Sequence, residues 1–150
     1  MGEHMKRFYA IAFSTMILDR VLKIIVENFL STERVYIIKN FFYLVFVKNT
    51  GAAFSSFEGM NILFILVALC ALIFIVYYIK KNNSSNIGYA LLFGGIIGNL
   101  IDRIVYRYVI DFIGFEFGSY SFPIFNIADM AIVIGALFVL LGSDKNEITS

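Results

Sequence analysis

Asp129 is the one ionisable residue in the last long apolar run of the chain, Pro123–Gly142, and it follows Asn126 by three positions. A carboxylate and a carboxamide at that spacing admit two readings. Asn126 can be a helix N-cap with Asp129 at N3, where negative charge meets the positive end of the helix dipole. Alternatively, the two belong to a polar site set in apolar surroundings. Other polar groups intrude on apolar stretches in the same way: Asp19, Arg20 and Lys23; Asn99, Asp102 and Arg103; and, in more mixed segments, Asn49 and Asp111. Asn99, Asp102 and Arg103 stand at i, i+3 and i+4, on one helical face, with Gly95 one turn earlier. Asp19 and Lys23 have the i, i+4 spacing of an ion pair. Carboxylates in such places either carry protons, as in a channel or carrier, or sit in structural ion pairs.

Other chemistries are excluded by what is missing. The sole cysteine, Cys70, can form neither an intramolecular disulfide nor a thiolate cluster. The sole histidine, His4, lies in MGEHM, which reads as an expression remnant (residues 1–4) ahead of a natural start at Met5. Histidine-based metal ligation and Ser-His catalysis then drop out, so no metal and no cofactor are expected. A net charge of +1 gives no case for nucleic acid.

The elements that must hold these residues are membrane spans. The chain is 60% hydrophobic and 15% charged, against about a quarter charged in soluble domains. Its mean hydropathy is +0.84. A crossing helix needs roughly 20 apolar residues, and four stretches qualify, at about 8–26, 60–79, 87–105 and 123–142. The first is not a cleaved signal peptide, because its charges fall in its second half and no small-residue cleavage site follows. Lys6, Arg7, Lys80, Lys81 and Lys145 put both termini and the 80–86 loop on the cytoplasmic side. The outer segments are 27–59 and 106–122. Within them, 34–48 and 109–122 are rich in β-branched and aromatic residues, which predicts a small β element on the outer membrane surface. The polar tail after Ser143 is expected to be unstructured. The whole chain, 1–150, reads as a single membrane domain.

With the N-terminus inside, spans one and three run outward and span four runs inward. Every misplaced polar residue then falls at one depth, just beneath the outer interface. Local explanations exist for each: a cap at Asn126, helix packing at the Gly-x-x-x-Gly of 94–98, ion pairs Asp19–Lys23 and Asp102–Arg103, a plain turn at 48–56, a strand end at Asp111. None of these explains why all converge on one layer.

The blocks NTGAAFS (49–55), GGIIGNLIDR (94–103), VIDF (109–112) and FNIAD (125–129), with LDRVLK (18–23), resemble the signature blocks of bacterial lipoprotein signal peptidase, or signal peptidase II. Order, spacing and length agree over most of the chain. Arg20 and Leu22 replace a frequent glutamine and threonine, and Met130 a frequent small residue. These departures bear on substrate fit, not on the chemistry.

The resemblance implies four transmembrane helices with an outer β-cradle and a short periplasmic helix, in the bacterial cytoplasmic membrane. It implies an aspartic endopeptidase that removes the signal peptide of prolipoproteins, N-terminal to a diacylglyceryl-modified cysteine. Asp111 and Asp129 would be the catalytic dyad. Asn49, Asn99, Asp102, Arg103 and Asn126 would position dyad and substrate, with Asp19 and Lys23 supporting from the first helix. The expected partners are the lipid-modified prolipoprotein and membrane lipids. A functional monomer and inhibitors of the globomycin type, bound at the dyad, are expected too. The chemistry suits these residues. Two close carboxylates cannot both ionise cheaply and share one proton, so one can accept a proton from water while the other polarises the scissile carbonyl.

Overall fold

The computed structural model describes residues 2–51, 60–82 and 86–147. Four long helices and four strands follow one another as α1 (Glu3–Phe29), β1 (Val35–Ile38), β2 (Phe42–Asn49), α2 (Asn61–Asn82), α3 (Ile87–Val105), β3 (Val109–Phe117), β4 (Tyr120–Ser121) and α4 (Ile127–Glu147). The helices carry the leucine-, isoleucine- and phenylalanine-rich runs, and the strands carry the two β-branched, aromatic segments. Residues 52–59, and with them most of the block 49–55, lie outside the described residues. Among the described residues there is no short helix beside the four long ones.

α3 is the central helix, packed between α1 and α4 with α2 on a third side. Missing side chains allow the close approach. Gly88 on α3 and Gly135 on α4 face each other so tightly that a Cβ on either would stand 2.7 Å from the other's carbonyl oxygen. Gly95 presses on the Ala128 backbone of α4, and Gly94 on Ala12 and Thr15 of α1. The glycines of 94–98 therefore serve packing, as their spacing suggests. α2 behaves differently, since only Ile75 and Ile79 of it are buried, against Phe8, Tyr89 and Ala90. Ile62 and Ile73 are 74% and 70% exposed, so the described residues leave most of this apolar helix uncovered.

α2 and α3 are long and apolar enough to cross a membrane, and the apolar part of α4, Ile127–Gly142, is shorter. α1 has the length, but Asp19, Arg20 and Lys23 interrupt its apolar character.

The strands form one antiparallel sheet in the order β1-β2-β3-β4. Asn40, in the left-handed conformation at φ 58°, turns β1 into β2, a role asparagine tolerates better than most residues. An irregularity between Leu44 and Val47 shifts the β2–β3 register so that Val47 pairs with Asp111 and Asn49 with Val109. The sheet sits on the end of α1 through Val26, Ile110 and Phe112. Arg107, also left-handed at φ 65°, breaks the chain out of α3 and returns it as β3.

Two expectations are corrected. α4 runs on to Glu147, where an unstructured tail was expected after Ser143. No proline interrupts 143–147, and a helix already nucleated propagates through such residues at little cost. The helix also begins at Ile127, four residues after Pro123, because Phe125 is held in an isolated antiparallel bridge with Ile113 of β3.

Candidate active site

Asp111 is the third residue of β3, inside the strand rather than capping its end, and it is only 2% exposed. Its two oxygens are both occupied: Asn126 Nδ2 donates to Oδ1 at 2.7 Å, and Asn49 Nδ2 donates to Oδ2 at 2.8 Å. Asp129 lies in the first turn of α4. Asn99 Nδ2 donates to its Oδ1 at 2.7 Å. Asn126 N–H donates to its Oδ2 at 3.3 Å, while Asp129 N–H donates to Asn126 Oδ1 at 2.8 Å. That reciprocal exchange is a capping box. The local reading of Asn126 and Asp129 is therefore right, and the same residues also reach Asp111. Asn126 Nδ2 shares its protons among Asp111 Oδ1, Asn99 Oδ1 at 3.2 Å and the Ile110 carbonyl at 3.3 Å.

The bridge between Ile113 and Phe125 brings the carboxylates together. Phe125 N–H donates to the Ile113 carbonyl, and Ile113 N–H to the Phe125 carbonyl, at 3.1 and 2.9 Å. Strand β3 and the mouth of α4 are thus laced together, two residues from Asp111 on one side and four from Asp129 on the other. Burial pushes the Asp111 carboxyl up to about 7, and the negative Asp129 adds to the rise. The amides of Asn49 and Asn126 and the Lys23 ammonium oppose it.

A cavity of about 460 Å³ opens on this pair, lined by Asn49, Asn99, Arg103, Asp111, Phe125 and Asp129 among others. Arg103 lies across the Phe64 ring, 4.4 Å from its centre, and its Nη2 donates to the Gly51 carbonyl at 3.0 Å. Gly51 N–H in turn donates to Asn49 Oδ1 at 3.0 Å. Arg103 Nη1 is buried and has no protein partner among the described residues, so a donor is available toward whatever fills the cavity. In the same region no group of three or more His, Cys, Asp or Glu side chains gathers as a metal site among the described residues.

Behind the cavity, α1 supplies charge. Lys23 Nζ contacts Asp19 Oδ2 at 2.7 Å, Asp102 Oδ2 at 2.9 Å and Asn99 Oδ1 at 2.9 Å. Lys23, Asp19 and Asp102 are all fully buried. The i, i+4 pair expected between Asp19 and Lys23 is present. The alternative pair between Asp102 and Arg103 is not formed: consecutive residues of a helix diverge by about 100°, and Asp102 turns to α1 while Arg103 turns to the cavity. Asp102 instead accepts from Arg20 Nη1 at 3.0 Å. Arg20 also bonds the Tyr106 hydroxyl and stacks on that ring.

The nine residues singled out from the sequence (Asp19, Lys23, Asn49, Asn99, Asp102, Arg103, Asp111, Asn126 and Asp129) thus share one hydrogen-bonded network. Arg20 was missed. Charge counting was the available signal, since Asp19 and Asp102 together need two cations and Lys23 supplies one.

Comparison with known proteins identifies the class. Residues 11–143 match the family model described as signal peptidase (SPase) II. The chain is 37% identical to the lipoprotein signal peptidase of Bacillus pumilus over 139 residues, covering 89% of this chain and 90% of the relative. It is 39% identical to that of Clostridium novyi over 132 residues, covering 84% and 89%. A bacterial membrane enzyme solved by the in meso method at 2.3 Å superposes with a TM-score of 0.86 at 31% identity, over 95% of this chain and 90% of that one. A second, solved at 1.9 Å, gives 0.81 at 32% identity, over 91% and 92%. The chain belongs to the signal peptidase II family, aspartic peptidases of lipoprotein processing. Its mainly helical fold with a small antiparallel sheet is that of a membrane enzyme.

Proposed function

We propose that Asp111 and Asp129 are the catalytic dyad with which this chain cleaves prolipoproteins on the N-terminal side of a diacylglyceryl-modified cysteine. One observation carries the reading. The two carboxylates come from different elements, are linked through the hydrogen-bonded amides of Asn126 (on Asp111) and Asn99 (on Asp129), and open on one cavity.

The ionised member of the dyad takes a proton from a water molecule, whose oxygen attacks the scissile carbonyl carbon. The protonated member hydrogen-bonds the carbonyl oxygen as negative charge develops there. Collapse of the tetrahedral intermediate breaks the C–N bond, and a carboxyl proton passes to the leaving cysteine nitrogen. The pair titrates as a unit, holding one proton between two groups. The free Nη1 of Arg103 is a donor to the peptide backbone beside the bond.

All four helices cross the bacterial cytoplasmic membrane, with both termini cytoplasmic and the site near the outer face. α1 crosses despite its charges because its Asp19 and Lys23 are buried and paired, with each other and with Asp102 of α3. The substrate's acyl chains stay in the bilayer while its cysteine enters the cavity. The sheet closes over the bound peptide. One chain holds the complete site, so a monomer suffices, and globomycin-type inhibitors bind at the dyad.

The test uses the purified protein in lipid with two synthetic prolipoprotein peptides, one carrying diacylglycerol on its cysteine and one bare. The lipidated peptide is expected to yield a product beginning at cysteine by mass spectrometry, with a chelator present or absent. Equal cleavage of the bare peptide, or a product cut elsewhere, contradicts the proposal.

A further inference from the structure

The deepest charges in the molecule lie outside the cavity, and their hydrogen bonds end at telling places. Lys23 joins Asp19 to Asp102 with Nζ contacts of 2.7 and 2.9 Å. Asp19 Oδ1 accepts the Ala128 N–H at 2.9 Å. Asp102 Oδ2 accepts the Ile110 N–H at 3.2 Å. Ala128 immediately precedes Asp129, and Ile110 immediately precedes Asp111. The third Lys23 contact, to Asn99 Oδ1 at 2.9 Å, orients the amide whose Nδ2 holds Asp129. From these contacts we infer that Lys23 is a positioning residue that fixes the spacing of the two dyad carboxylates, by clamping through Asp19 and Asp102 the backbone next to each.

Physical reasoning favours this over a role in stability alone. A buried ion pair costs desolvation that its attraction barely repays, and apolar replacements of similar volume are often neutral or stabilising. A membrane helix has every reason to use leucine here. The cluster's directional feature is that its two acceptors each hold one backbone amide, and both amides adjoin the dyad. Beside this clamp, β3 and the mouth of α4 are joined by the hydrogen bonds of Phe125 with Phe112 and Ile113, by the Asn126 amide and by apolar packing of Ile127, none of which holds the backbone immediately before either carboxylate from α1. Arg20, on the other oxygen of Asp102, makes the cluster two cations against two carboxylates. The charges of the clamp therefore balance one another within the cluster. Gly98 is the matching concession in α3, because a Cβ there would stand 2.8 Å from Asp19 Oδ2.

The inference rests on the reading of Asp111 and Asp129 as the dyad. Its test uses the full chain in detergent or lipid, with the diacylglyceryl peptide as substrate. Asp19→Asn keeps the shape but sets an amide against the ammonium, and Gly98→Ala pushes Asp19 aside without changing any charge. Misplacement of reacting groups by about 1 Å costs on the order of 100-fold. Both variants are expected to lose kcat on that order while KM stays within about twofold, since the cavity lining is untouched. Adding Lys23→Met to Asp19→Asn should cost little more than the slower single variant, as for residues acting as one unit. Thermal unfolding of each variant reports its fold. If one variant does not fold, the other decides. Wild-type kcat in a folded variant, a loss carried by KM, or multiplicative losses in the double variant would overturn the clamp. Failure of the wild type to cleave at all would instead strike the reading of the dyad.

Discussion

Replacing Asp111 by asparagine should change the protein's stability in a way that depends on pH. The Asp111 carboxyl rises from 3.8 to about 7 in the folded chain, first through burial and then through Asp129. A carboxyl raised by folding binds its proton more tightly in the folded state. Stability is then fullest below the unfolded value and falls as pH climbs from about 4 to about 7. Three pKa units at about 1.4 kcal/mol each put the full cost near 4 kcal/mol above pH 7, of which only about 1 kcal/mol has accrued by pH 4.5. Asparagine cannot ionise and escapes this cost. It brings its own, because Asn126 and Asn49 both donate to Asp111 and an amide offers only one acceptor. That mismatch costs about 1–3 kcal/mol but does not vary with pH. The stability of Asp111→Asn relative to wild type should therefore improve by about 3 kcal/mol between pH 4.5 and pH 8. Thermal unfolding of both proteins in the same detergent at the two pH values measures it. A difference that stays constant with pH would refute the assignment of a buried, proton-holding Asp111.

The same group sets an activity limit. As pH rises through about 7, the shared proton leaves and one carboxyl can no longer donate. The kcat of cleavage should fall about tenfold per unit above that point, and a flat profile from pH 6 to 9 would contradict it. Arg103→Lys keeps the charge but loses the fork that reaches Gly51 with Nη2 and leaves Nη1 free. Losing a charged hydrogen bond of about 1.5–3 kcal/mol should lower kcat/KM by roughly 10- to 150-fold. Wild-type kinetics would show that Arg103 serves only the Gly51 turn.

Much of the fold was legible because a membrane solvent makes polar residues conspicuous. Asp129 and Asn126 stood out in an apolar run, and the capping box they form follows directly from their spacing. Asp19 and Lys23 were readable as a pair for the same local reason. Partners set by helix rotation were not readable. Whether Asp102 meets Arg103 or α1 depends on how α3 turns, and that is fixed by Gly94 against Ala12 and Gly98 against Asp19, contacts more than 70 residues apart in sequence. Arg20 looked like one more cation in the outer half of a span, because its two partners, Asp102 and Tyr106, lie across that same contact. The placement of Asp111 beside Asp129 was implied by the resemblance of whole blocks. The Ile113–Phe125 bridge that produces it leaves no mark in composition or periodicity.

The most direct measurement is single-turnover cleavage of a diacylglyceryl prolipoprotein peptide by wild type, Asp111→Asn and Asp129→Asn, each shown to be folded by thermal unfolding. Removing either carboxyl removes a proton donor or acceptor for which no histidine or cysteine substitutes in the cavity lining. Both variants should cleave at least about 1,000-fold more slowly than wild type. Cleavage by either folded variant at a rate near that of wild type would contradict the dyad.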